Sequence, residues 1–106
     1  MLKYLIKLNY TSEGIKGVIA EGGSSRKAAA EALAKSVGGT LESLYFAFGE
    51  TDVYVIADLP SQNAAIAISG TLNASGRVTC SVTPLITVEE MDEAVKLSPS
   101  YRAPGQ

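Results

Sequence analysis

The chain is predicted to be an α+β domain of ferredoxin-like type, a βαββαβ arrangement with a four-stranded antiparallel sheet and its two main helices on one face. Three observations predict it. Four short stretches are rich in β-branched and aromatic residues, helix-forming stretches separate the first from the second and the third from the fourth, and a turn-forming run, Gly49-Glu50-Thr51-Asp52, joins the middle two directly.

Residues 2–9 alternate, with Tyr4, Ile6 and Leu8 on one face and Lys3, Leu5 and Lys7 on the other, as a strand requires. Thr11 or Ser12 then caps a short helix in which Glu13 suits the positive dipole end and Ile15, Val18 and Ile19 form a stripe. Gly22-Gly23 breaks it. A second helix restarts at Ser24 or Ser25, runs through an alanine-rich stretch to Lys35 and stops before Gly38-Gly39. The aromatic run from Thr40 to Phe48 reads as the second strand and Val53 to Leu59 as its hairpin partner, ended by Pro60. Ser61 caps a helix through Leu72, and Asn73-Ala74-Ser75-Gly76 closes it. Arg77 to Ile86 is the fourth strand, with Pro84 placing its later half at an edge or a bulge. Thr87 and Glu90 have the spacing of a capping box that opens a short terminal helix. One domain is expected over 1–97, with a tail at 98–106.

Composition excludes several kinds of chemistry. There is no histidine and Cys80 is the single cysteine among 106 residues, so intrachain disulfides, Ser-His-Asp and Cys-His machinery, and imidazole ligation of a metal are all ruled out. No metal or cofactor is implied. A net charge of −2, with nine scattered basic residues, lacks the footprint of a nucleic-acid binder. No stretch has the length and apolarity of a signal peptide or a membrane span, so a cytoplasmic location is expected.

The hairpin bears on assembly. Leu44, Phe46, Phe48, Tyr54 and Ile56 hold even positions while Leu41, Tyr45, Ala47, Val53, Val55 and Ala57 hold odd ones, so both faces of the sheet are expected to carry large apolar groups. Strands apolar on both sides are usually covered on both sides. With helices on one face, a second copy is expected on the other, with Leu44, Phe46, Phe48 and Ile56 as interface candidates. The alternative is that the tail and terminal helix fold back over that face.

Five ordered segments have a further meaning: Tyr10-Thr11-Ser12-Glu13-Gly14-Ile15-Lys16-Gly17, Glu21-Gly22-Gly23-Ser24-Ser25-Arg26, Tyr45-Phe46-Ala47-Phe48-Gly49, Asp52-Val53-Tyr54-Val55-Ile56, and Ser100-Tyr101-Arg102 before Pro104-Gly105. Together they resemble the GYD family of small bacterial and archaeal proteins, over about the whole chain. The motif that names the family reads Gly-Tyr-Asp. Here Gly49-Glu50-Thr51-Asp52 keeps the flanking residues but lacks the tyrosine, so no role of that tyrosine carries over. The resemblance implies a dimeric α+β barrel, in which two ferredoxin-like sheets pack face to face, and says more about fold and assembly than about activity.

Candidate binding residues gather at Gly22, Gly23, Ser24, Ser25 and Arg26, where glycines permit close backbone approach and a helix N-terminus presents free N–H groups to an anion. The same segment also reads as a plain turn followed by a serine cap. Tyr45, Phe46, Phe48 and Tyr54 form an aromatic band that lines a pocket or simply packs. Tyr10 and Asn9 end the first strand, where a ligand is often met, or form a plain polar strand end; Tyr101 and Arg102 in the tail either cross to a partner subunit and close its pocket or belong to a frayed terminus. Asp52 and Asp58 stand about 20 Å apart along one strand, too far to work as a carboxylate pair. Cys80 reads as a buried, inert thiol. Three functions follow: a homodimeric module binding a small apolar or anionic molecule, a cofactor-free enzyme in which Tyr10, Arg26 and Tyr54 orient a substrate, or a structural or regulatory dimer.

Overall fold

The computed structural model describes all 106 residues. Its elements are β1 (Leu2–Tyr10), α1 (Ser12–Glu21), α2 (Gly23–Ser36), β2 (Thr40–Phe46), β3 (Val53–Leu59), α3 (Gln62–Ala74), β4 (Val78–Leu85) and α4 (Val88–Ala94). The strands form one antiparallel sheet in the order β2-β3-β1-β4, so the helical connection from β1 to β2 passes over β3, and that from β3 to β4 passes over β1. This is the ferredoxin-like α+β arrangement.

Local chemistry explains where each element starts and stops. The Thr11 side chain accepts from the Gly14 N–H, Ser61 from Ala64, and Thr87 from Glu90, whose own carboxylate accepts from the Thr87 N–H to complete a capping box. At the end of α2, the Gly38 N–H donates to Lys35 O and the Gly39 N–H to Ala34 O, a Schellman motif that Gly38 makes by adopting φ +82°. β4 is an edge strand, which accommodates Pro84. Its outward backbone groups at Cys80 are paired by the Asn73 amide of α3, which accepts from the Cys80 N–H at 2.8 Å and donates to its carbonyl at 3.2 Å.

The core lies between sheet and helices. Tyr4, Ile6, Val53, Val55, Ala57 and Leu59 from the strands meet Ala64, Ala65 and Ile68 of α3, and Leu59 is completely buried. α3 packs on β4 and β3, and α2 on β2. The helix surfaces turned to the sheet are rich in alanine, which favours the helix but fills little volume.

The far face of the sheet has no helix on it and differs from expectation in its membership. Across β2 and β3, Leu44 pairs with Val55, Tyr45 with Tyr54 and Phe46 with Val53, so even residues of β2 share a face with odd residues of β3. A bulge between Leu41 and Ser43 puts Leu41 on that same face. Two interface candidates, Leu44 and Phe46, therefore turn toward the helices. Phe48 lies past the end of β2, fully exposed, and only Ile56 of the four is on the open face. That face instead carries Leu5, Tyr45, Tyr54 and Ile56, beside a charged cluster in which Lys3 bonds the carboxylates of Glu42 and, at 3.0 Å, Asp58. These two bonds push the Lys3 pKa above its ordinary value.

α4 and the tail do not fold back over it. Every residue from Ile86 to Arg102 is exposed, and the molecule measures 57 × 33 × 23 Å as a result.

Candidate functional site

Between α2 and the sheet lies a cavity of about 90 Å³, lined by aliphatic side chains of β1, β2 and β3 and by Ala29, Ala30, Leu33 and Ala34 of α2. The cavity and the helix share one cause. Where a larger residue on α2 would reach down to Leu41 and Leu44, alanine leaves a gap. Arg26 is the single charged residue in the lining, and it stands with Tyr10 at one end while Phe46 lies at the β2 edge.

Tyr10 and Arg26 also border a second depression of about 110 Å³, outside the first, which adds Glu21 of α1 and Arg77 at the start of β4. The apolar cavity thus ends at a polar pole holding two guanidinium groups. Arg26 is ion-paired to Glu21 at 3.4 Å, in an exposed position where such pairs contribute little stability. Arg77 makes no salt bridge.

Burial is the main influence on the Tyr10 phenol and raises its pKa above 10.0, opposed by the adjacent Arg26 guanidinium. The phenol is therefore a protonated hydrogen-bonding group at neutral pH. Its backbone is fixed by Asp52, whose carboxylate accepts from the Tyr10 N–H at 2.8 Å. The Asp52 N–H in turn donates to Asn9 Oδ1 and to the Leu8 carbonyl, both at 3.0 Å. Asn9 and Asp52 thus tie the end of β1 to the β2–β3 turn, which accounts for both without a ligand.

The structure brings together some of the sequence-derived candidates and separates others. Tyr10, Arg26 and Phe46 meet around the cavity. Gly22, at φ +84°, caps α2 without any side-chain hydrogen bond, so neither Ser24 nor Ser25 is the cap that the sequence suggested, and both are exposed in the first helical turn. Gly23 lies against the Phe46 ring, 3.2 Å from where a Cβ would stand. Tyr54 pairs with Lys7 and Tyr45 on the open face, across the sheet from Arg26. Tyr101 and Arg102 sit exposed in the C-terminal arm.

Arg77 was missed by sequence reasoning. Its relevance depends on β4 lying next to β1, which pairs Val78 with Tyr10 and sets Arg77 beside the polar pole. Cys80 is half-buried and free, with burial raising its pKa above 9.0 and Ser69 opposing. No group of three Cys, Asp or Glu residues is arranged to hold a metal ion, and no helix is long and apolar enough to cross a membrane.

No curated protein and no solved structure matches the chain. The sequence model of the GYD domain does, over residues 4–95, which spans every strand and helix except the first two residues of β1. With the fold and the five ordered segments in agreement, this chain belongs to the GYD domain family.

Proposed function

We propose that the protein is a homodimeric module that binds a small amphipathic acid between α2 and the sheet. One observation supports this above all: an apolar cavity closes on a single charged side chain, Arg26, with the Tyr10 phenol next to it. An aliphatic or small aromatic body would lie over Ala30, Leu33 and Leu44, where removal from water drives binding. Its carboxylate would meet the Arg26 guanidinium, a group whose planar fork matches a carboxylate, while the phenol donates a further hydrogen bond. At about 90 Å³ the cavity has the volume of roughly three waters, so it suits a short or branched chain.

The geometry favours binding over catalysis. The sheet separates Tyr54 from Arg26 and Tyr10, so the trio expected to orient a substrate is not assembled. The remaining pair, a guanidinium and a phenol held protonated, orients an anion but offers no base near neutral pH.

Two copies are supported by the exposed surface. A compact monomer of 11.0 kDa exposes about 5,600 Å², whereas this chain exposes 7301 Å². Part of the difference is the open sheet face, where Tyr45 and Tyr54 are exposed beside half-buried Leu5 and Ile56, and which suits packing against the same face of a second copy. The lone half-buried thiol suits a reducing, cytoplasmic setting.

The experiment is a titration with isovalerate, hexanoate and benzoate, followed by amide NMR shifts. Binding at this site is expected to shift Tyr10, Arg26 and Phe46, with Arg26→Gln weakening affinity about tenfold, as loss of one charge-assisted contact implies. Shifts confined to the open sheet face, or equal affinity in Arg26→Gln, would overturn the assignment.

A further inference from the structure

The C-terminal arm is built to leave the body. Thr87 holds an extended conformation, φ −78° and ψ 166°, the reciprocal bonds of its capping box fix the start of α4, and every residue from Ile86 to Arg102 is exposed, so the arm stands away from the body. A segment with no role in packing would be expected to be polar all round. Instead Val88, Met91 and Val95 recur at helical spacing along one side, and all three are exposed, with Ile86 and Leu97 exposed at either end. The carboxylates of Glu89, Asp92 and Glu93 occupy the intervening positions. Isolated in water, such a short helix is marginal and gains its stability from what covers its apolar side.

A complementary surface exists on the body. Between α3 and β4 runs a groove of about 630 Å³, lined by Leu2, Tyr4, Ile66, Val82 and Pro84 and free of charged residues. On the α3 side, Ala65 and Gly70 let a neighbouring helix approach closely. The groove lies at the end of β4 from which the chain's own arm departs, because Pro84 pairs with Tyr4 there. Reaching it in cis would demand that the chain reverse within Ile86 and Thr87, the two residues between β4 and α4.

We propose that α4 of one copy seats Val88, Met91 and Val95 in the α3–β4 groove of a second copy, so that paired chains exchange arms. The area fits. The surface in excess of a compact monomer is about 1,700 Å², and a standard interface takes only about 800 Å² from each partner, so the sheet face alone need not account for it. The reach fits as well. The arm stretches the molecule to 57 Å against a next dimension of 33 Å, while face-packed sheets stand about 10 Å apart. The inference rests on the two-copy reading above for its second copy and for the spacing of the face-packed sheets, and not on the acid-binding cavity.

Cysteine trapping in the full chain tests it. Ile66 and Met91 are 60% and 51% exposed, so Ile66→Cys and Met91→Cys in a Cys80→Ser background should leave folding intact, as circular dichroism would verify. Under mild oxidation by oxidised glutathione, a chain carrying both is expected to form covalent dimers that reduction reverses. Mixing the two single-cysteine chains should give the same product, whereas pairing Met91→Cys with Lys16→Cys on α1 should not. A monomer with an internal disulfide would show the arm in its own groove, and absence of cross-linking would show it elsewhere. Either outcome overturns the proposal. As a second reading, Met91→Glu is expected to raise the dimer dissociation constant about tenfold or more in sedimentation, as loss of one buried side chain implies. An unchanged constant contradicts it. If the native chain stays dimeric while no trap forms, the sheet-face dimer stands and arm exchange fails alone.

Discussion

Gly14 and Gly17 lie one turn apart on α1 and should respond in opposite ways to the same change. A Cβ at Gly14 would stand 1.8 Å from the Arg77 carbonyl oxygen, which accepts the Thr11 N–H, whereas a Cβ at Gly17 meets nothing within 4 Å. Gly14→Ala is expected to cost about 3 kcal/mol or more through forced displacement of the β4 start. Gly17→Ala should instead add up to about 1 kcal/mol through helix propensity. Urea unfolding of both variants measures the difference, and equal effects would mean that α1 does not sit against β4 as described. Cys80 and Tyr10, two of the three groups with raised pKa values, act on stability with one sign. Below their ordinary values, 9.0 for Cys80 and 10.0 for Tyr10, each is protonated whether folded or unfolded, and its contribution to stability is fully present. As pH climbs past those values the unfolded chain loses the protons first, so stability falls until the folded groups ionise too. Urea midpoints between about pH 8 and pH 11 should decline, and less steeply in a Tyr10→Phe, Cys80→Ala double variant. A parallel decline in both proteins would assign the effect to other groups.

Among the elements, the helix starts made by a side-chain cap were the most legible feature of the sequence, because a local group of specific chemistry makes them, whereas α2 starts at Gly22 without one. Thr11, Ser61 and the Thr87–Glu90 pair cap the helices they were expected to cap, and Val53–Leu59 is the strand it was read to be. The face to which each β2 residue turns was not legible. A bulge adds one residue, Glu42, whose only local mark is a charge that any strand surface tolerates, and hairpin parity depends on a register that the turn residues alone do not specify. Leu44 and Phe46 were therefore placed on the wrong side. The site was half legible for a similar reason: Arg26 stands out beside two glycines, but its pairing with Tyr10 and Arg77 exists only after β4 docks against β1. The freestanding α4 gives a test at this scale. Thr87→Ala should cost that helix about 1 kcal/mol, seen as faster amide exchange from Val88 to Ala94. At concentrations low enough to keep the chain monomeric, it should leave the unfolding of the β1–β4 body unchanged, and a matching loss in global stability there would mean that α4 packs on its own body.

At the scale of the molecule, a thin, one-sided sandwich with an arm is hard to reconcile with life as a monomer. The radius of gyration is 17.0 Å, against about 13 Å for a compact chain near this length. Only 14 of 106 residues are buried, so the core is small for the apolar content of the sequence. The second copy proposed above would reconcile the two by covering the Leu5–Tyr45–Tyr54–Ile56 face. The most direct measurement is native mass spectrometry of the intact chain at micromolar concentration, with and without isovalerate, beside Arg26→Gln. A dimer that gains up to one isovalerate per chain, with the gain lost in Arg26→Gln while the dimer persists, is the expected result. A monomer, or a dimer whose isovalerate uptake ignores the substitution, would contradict it.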